Sequence, residues 1–307
     1  MLNRRSFLQH TMLASGAALV PARLEEWTAI KKLTILHTND THSRIDPFPM
    51  DGSRNQGLGG VAARAALIDK LRKEEEELLL LDAGDIFQGT PYFNLYKGEP
   101  EIRCMSAMGY DAATIGNHDF DAGLENLANK LTFASFPIVI CNYDFSGTPM
   151  EHKYVPYKVF NKGKLRIGIT GVGIQLHGLV PENLYGATKY LSPVEKANET
   201  ASYLRKEKNC DMVICLSHLG YKYKDNTVSD VVLAGESEEI DLIIGGHTHT
   251  FMDKPESFVN KKGKPVLVNQ VGWAGLQLGR LDFEFSKFSR KNLVNSTPIP
   301  VTKKTKE

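Results

Sequence analysis

Cysteine is scarce in this 307-residue chain, at four positions only: Cys104, Cys141, Cys210 and Cys215. Their spacing matches neither a metal finger nor a redox pair. Cys141, Cys210 and Cys215 lie in or beside apolar, strand-like runs, which favours buried free thiols, with a disulfide as the alternative. An excess of one charge is equally lacking: 37 basic residues face 36 acidic ones, for a net charge of +1. No global field therefore draws the chain to nucleic acid or a membrane surface, and attraction for an anionic substrate has to be local. Glycine-rich phosphate loops are missing too. Gly57-Leu58-Gly59-Gly60 has no Gly-Lys-Ser/Thr ending, and Leu176 stands where Gly171-x-Gly173 would need a third glycine for dinucleotide binding. No internal repeat or low-complexity tract occurs.

The N-terminus carries an address rather than a fold. Asn3-Arg4-Arg5-Ser6-Phe7-Leu8-Gln9 resembles a twin-arginine export signal, followed by the uncharged stretch Thr11–Val20 and by Val20-Pro21-Ala22, which suits a signal peptidase. The stretch falls short of the roughly 20 residues a spanning helix needs. Residues 1–22 are accordingly set apart as a signal peptide, and a periplasmic or other extracytoplasmic location is expected, with no membrane span in the mature chain. With 42% hydrophobic residues, the remainder can bury one large core, as one big domain or two small ones.

Strand-like apolar runs alternate with helical patterns. Lys32–Thr38, Leu78–Leu81, Ala112–Ile115, Pro137–Cys141, Met212–Leu216 and Asp241–Ile244 read as buried strands. Helices are predicted near Val61–Lys73, Glu99–Met108, Leu124–Phe133, Val194–Lys208 and Val228–Ala234, and a hairpin around Asn161-Lys162-Gly163-Lys164. Val266–Val268 and Leu276–Phe285 look like antiparallel strands. From Ser286 to Glu307 the chain is polar and basic, with Pro298 and Pro300, and reads as a solvated tail or linker remnant.

Five of the strands deliver ligand-type residues just past their C-terminal ends: Asp40 and His42, Asp85, Asn117, His218, and His247 with His249. In open α/β sheets these ends converge on the site. Singly, each has a structural explanation: Asp85 as a helix N-cap, Asn117 as a turn residue, His218 as a core histidine. Together they hold five of the nine histidines, counting His118 beside Asn117. Gly116-Asn117-His118-Asp119-Phe120-Asp121 is the densest cluster, and burying it without partners would cost roughly 1–3 kcal/mol per polar group. Shared cations are the simplest partner. Carboxylate, imidazole and amide donors without thiolate point to Zn, Mn, Co or Fe. Seven ligands suit two ions about 3.5–4 Å apart with a bridging carboxylate. His10, His37, His152 and His177 have no ligand neighbours and receive no role.

The ordered motifs Asp-x-His, Gly-Asp-x-x-Gln-Gly, Gly-Asn-His-Asp-x-Asp, Ser-His-x-Gly and Gly-His-x-His resemble the calcineurin-like metallophosphoesterases. More narrowly, they are similar to the catalytic domain of the 5′-nucleotidase family. The resemblance covers residues 32–285 and implies an α/β fold, a four-layer α/β/β/α sandwich of two mixed sheets, with residues 23–285 as the catalytic domain. It also implies metal roles: Asp40, His42 and His249 hold one ion, Asn117, His218 and His247 a second, and Asp85 bridges. His118, oriented by Asp121, polarises a phosphoryl oxygen, with Asn117 and His118 contacting substrate; Asp119 is left unassigned. The implied function is a 5′-nucleotidase-type phosphomonoesterase without the C-terminal base-binding domain, acting alone or with a separate chain that supplies it. The alternatives are a 2′,3′-cyclic nucleotide phosphodiesterase or other phosphoesterase, and a non-catalytic metal-binding partner subunit.

Overall fold

In the computed structural model, which describes residues 31–286 and 291–302, the first two apolar runs form β1 (Lys31–Thr38) and β2 (Leu78–Asp82). Successive side chains of a strand point to opposite faces, and here both faces are buried. Leu36, Leu78 and Leu80 enter one hydrophobic core, while Leu33, Ile35, Leu79 and Leu81 enter another. Residues 1–22, read above as an export signal, lie outside the described residues.

Between and after these strands come α1 (Val61–Glu74), α2 (Pro91–Tyr96), α3 (Glu99–Met108), the short β3 (Ala112–Ala113), α4 (Leu124–Lys130) and β4 (Tyr143–Asp144). The hairpin β5 (Tyr157–Lys162) and β6 (Leu165–Gly173) follows, then α5 (Glu182–Tyr185), β7 (Lys189–Tyr190), α6 (Pro193–Lys206) and β8 (Met212–His218). The last elements are α7 (Asp230–Glu236), β9 (Leu242–Gly245), β10 (Glu256–Val259), β11 (Pro265–Asn269), β12 (Gln277–Phe285) and β13 (Asn292–Pro300). Helix α6 starts where the sequence provides for it: Ser192 accepts from the amide of Glu195, and Pro193 occupies the first turn, where no amide is needed.

The strands form a five-stranded sheet in the order β13-β12-β1-β2-β3, a six-stranded sheet in the order β10-β11-β9-β8-β6-β5, and a small β4-β7 pair. β1 runs parallel to β2 and antiparallel to β12, while β6, β8, β9 and β11 are parallel with antiparallel edges. The two large sheets face each other across one core, where Ile35 and Leu79 meet Ile167, Ile214 and Ile244. Residues of α1, α3 and α4 pack on the outer face of the first sheet, and residues of α6 and α7 on that of the second. This is the four-layer α/β/β/α arrangement of two mixed sheets. All four cysteines are free thiols.

Three expectations are corrected. The polar segment after Ser286 is not all solvated tail: residues 292–300 pair along β12, and Val301 beyond them is fully buried. Pro298 and Pro300 misled because proline breaks central strands, yet an edge strand tolerates it. Val266–Val268 and Leu276–Phe285 do not pair, since β11 joins the second sheet and β12 the first. Pro137–Cys141 makes only isolated bridges, Ala113 with Ile138 and Val139 with Val155.

Candidate metal centre

Within each sheet the parallel strands end on the same side, so the loops after β1, β2, β3, β8 and β9 converge. Two groups of side chains result. Potential ligand atoms of Asp40, His42 and His249 lie within 4.8 Å of one another, as do those of Asp85, His218 and His247. The groups touch: Asp85 Oδ2 is 3.0 Å from His218 Nε2 and 3.9 Å from His42 Nε2. Asp40 Oδ1 lies 3.4 Å from His249 Nε2 and 3.9 Å from His218 Nε2. Asn117 joins the second group through its Oδ1, 2.8 Å from His247 Nδ1. Asp40, Asp85 and His218 are almost wholly buried.

The convergence depends on unusual backbone. Asp40, His42, Asp85, His247 and His249 all have left-handed conformations, with φ of 49°, 46°, 54°, 70° and 52°. Non-glycine residues rarely hold this region, and each instance costs on the order of 1–3 kcal/mol. Asp40 and His42 therefore meet their partners through bends, not through the shared face of an extended strand. Close approach needs glycine at Gly116, where a Cβ would collide with Asp85 Oδ1 and lie 2.6 Å from His218 Nε2.

Surrounding groups fix how the ligand atoms point. His218 Nδ1 donates to the Ala83 carbonyl at 2.7 Å, and His42 Nδ1 faces the Phe87 carbonyl at 3.3 Å. With Nδ1 engaged in this way, Nε2 is the nitrogen that each ring directs into the site. His218 Nε2 is buried and has no aligned hydrogen-bond partner, even though Asp85 is near. His42 Nε2 and His249 Nε2 face each other at 3.1 Å. Inward-pointing imidazole nitrogens beside two buried carboxylates fit bound divalent cations, which would displace any proton there.

Electrostatics agree with a cation-hungry pocket. Burial opposes charge on His218, but the neighbouring Asp85 and Asp40 carboxylates outweigh it and hold the imidazole well above its usual range. Asp85 is likewise pushed up by burial but pulled lower still by His218 and His42. His118 Nδ1 donates to Asp121 Oδ2 at 2.8 Å, and this bond raises the His118 pKa. The His118 ring stands 5.3 Å from that of His42.

All seven residues expected as ligands thus come together, with His118 and Asp121 at the rim. Other contributors went unread. Asp119, left unassigned above, is buried and accepts from the amides of Asp85, Ile86, Phe87 and Gly116, stapling two ligand loops together. Burial, then the Asp85 charge, raises its pKa to about 7. Asn39 donates to Asp40 Oδ2 and to the Gly272 carbonyl, aiming the carboxylate. Its one signal was position, next to Asp40. His37 lies outside the site, buried and bonded to Asn269.

The profile of the Calcineurin-like phosphoesterase family matches residues 33–251. A 5′-nucleotidase from Vibrio cholerae is 33% identical, the match covering 98% of this chain and 58% of the relative. A 5′-nucleotidase precursor of known structure from Thermus thermophilus superposes with a TM-score of 0.78 at 33% identity, over 89% of this chain and 55% of that one. Haemophilus influenzae NAD nucleotidase superposes at 0.79 with 27% identity, over 89% and 57%. The chain thus spans just over half the length of these relatives. With both the ordered motifs and the fold in place, the chain belongs to the calcineurin-like phosphoesterase family.

Proposed function

We propose that the protein is a metal-dependent phosphomonoesterase that acts on 5′-nucleotides. The observation that carries this reading is the meeting of Asp40, His42 and His249 with Asp85, His218 and His247 beside the His118–Asp121 pair. Asp40, His42 and His249 would hold one divalent cation, Asn117, His218 and His247 a second, and Asp85 both. Zn, Mn, Co or Fe suits this donor set. Cations held there would supply the charge that neutralises ester oxygens and would lower the pKa of water towards neutrality.

The protein's own groups supply the rest. Asp85 also accepts from the backbone amide of His118 at 2.8 Å, tying the rim to the centre. Asp121 raises the His118 pKa and fixes the ring, so that its free edge can donate to a phosphoryl oxygen as charge builds there. Asn117 and His118 would thus both touch substrate. A non-catalytic metal-binding role has no use for this oriented imidazole.

The nucleotide as substrate rests on the 5′-nucleotidase relatives. Neither the structure nor those relatives support a separate chain carrying a base-binding domain, and the proposal uses none. No helix among the described residues is long and apolar enough to cross a membrane. The twin-arginine-type N-terminus supports export to the periplasm.

The purified protein with Mn or Zn should release phosphate from AMP, lose this activity to a chelator and regain it with metal. Cyclic AMP and a chromogenic monoester complete the panel. Faster turnover of the cyclic diester would redirect the assignment, and no hydrolysis of any of the three would end it.

A further inference from the structure

The segment that follows β11 bonds to ligand loops of both large sheets. On one side its backbone meets the loop after β1. The Val271 amide donates to Asn39 Oδ1 at 3.0 Å, and the Gly272 carbonyl accepts from Asn39 Nδ2 at 2.6 Å. The Ala274 amide donates to the Asp40 carbonyl at 2.7 Å. On the other side the Gln270 side chain turns into the second sheet. Its Nε2 donates to the Gly246 carbonyl at 2.8 Å and to Asp230 Oδ2 at 3.0 Å. Its Oε1 accepts from the Thr250 amide at 3.1 Å and from the Thr248 hydroxyl at 3.3 Å. These partners alternate with ligands: Gly246 precedes His247, Thr248 stands between His247 and His249, and Thr250 comes next.

Asp230 carries the contact on to β8. Its Oδ1 accepts from Ser217 Oγ at 2.5 Å, and Ser217 is the residue before His218. Gln270, Asp230 and Ser217 are fully buried. A buried polar network whose members are all paired is stiff, and removing one member leaves the others unsatisfied. The chain makes room for this one at the end of β9. A Cβ on Gly245 would collide with Asp230 Oδ2 and lie 2.7 Å from Gln270 Nε2. The sheet itself has no use for the glutamine, because the pairing of β11 with β9 stops at Asn269. Its side chain forms no hydrogen bond with a ligand side chain. It clamps the chain before, between and after two imidazoles that face different ligand groups.

We infer that Gln270 is a positioning residue that sets the separation of the Asp40–His42–His249 group from the Asp85–His218–His247 group. With that separation it sets the spacing of the two cations they would hold. The inference rests on the two-cation part of the reading above and adds a residue that touches neither ion.

The test is electron paramagnetic resonance of the full chain loaded with two equivalents of Mn, the content checked by elemental analysis. Wild type should give the exchange-coupled spectrum of a Mn pair. Gln270→Met keeps the length of the side chain and none of its hydrogen bonds. It should hold two Mn with the coupling reduced or lost. Its turnover of AMP should fall about 10–100-fold, the range for loss of an outer partner of a metal site. Thr248→Val removes one hydroxyl of the network at nearly constant size and should change the spectrum in the same direction. It takes the place of Gln270→Met if that variant fails to fold or to keep two Mn. A spectrum like that of wild type in the folded, Mn-loaded variant, whatever its melting temperature, would mean that Gln270 serves stability alone. That result overturns the inference and leaves the two-cation reading intact. Two bound Mn without coupling in the wild type would instead overturn the paired-cation reading, and the inference with it.

Discussion

Trp273 lies flat against His249, with ring centroids 5.7 Å apart and planes within 8° of parallel. The other imidazoles of the candidate centre are aimed by hydrogen bonds, from His42 to Phe87, from His218 to Ala83 and between His247 and Asn117. His249 instead meets His42 Nε2 at 3.1 Å and Asp40 Oδ1 at 3.4 Å, both through the Nε2 that faces the site. The indole therefore performs the orienting work that a hydrogen-bond partner performs elsewhere. Phe48 holds it edge-on at 5.9 Å, and the Arg44 guanidinium caps Phe48 at 4.1 Å.

Replacing Trp273 with leucine should therefore weaken one of two metal equivalents by about tenfold or more, the range for loss of an orienting partner, and spare the other. Trp273→Phe, which keeps a stacking face, should restore most of it. Metal titration calorimetry reads both stoichiometry and affinity. Two equally weakened sites would mean that Trp273 acts on the fold as a whole.

Asp85 reaches imidazoles of both groups, so its loss should not be confined to one site. Asp85→Asn is expected to lower the content of both metals after dialysis. Elemental analysis decides the matter, and a variant that keeps two equivalents would remove Asp85 from the bridging position.

For His118→Asn, the expectation is a fall in turnover of about 10²–10³ with metal content unchanged, the usual cost of losing one preorganised donor. Asp121→Asn should fall less, because it removes the orienting bond of 2.8 Å but leaves the imidazole. Wild-type turnover in His118→Asn would exclude the role given to it.

His37 provides a pH signature outside the metal centre. Burial lowers its pKa from 6.5 to about 3, so the folded state keeps it neutral where the unfolded chain would take up a proton. Stability from this group is full above pH 6.5 and is lost as pH falls towards 3. In chelator-treated protein, His37→Gln should show a shallower decline of melting temperature across that window than wild type. Parallel curves would show that His37 does not contribute.

Much of this was legible because chemistry and topology coincide. Uninterrupted runs such as Leu78–Leu81 and Met212–Leu216 announce strands covered on both faces, and Asp85 and His218 sit where these runs stop. The ordering of the site was not legible. Asp119 binds four amides from two loops, and nothing local marks a carboxylate that serves distant backbone. Trp273 stacks on His249 from the segment between β11 and β12, which crosses from one sheet to the other where the sequence suggested antiparallel strands. Nor does hydropathy reveal β13, whose prolines and polar residues suit an edge as well as a tail. Left-handed backbone at Asp40 or His247 leaves no trace in composition, since aspartate and histidine tolerate it without demanding it.

Those five bent residues set function against robustness. Glycine at any of them would remove a ligand while relaxing the chain, so an inactive His247→Gly protein should melt later than wild type when both are stripped of metal. A valine there would harm folding as well as chemistry. Selection for heat resistance alone would thus erode this centre first.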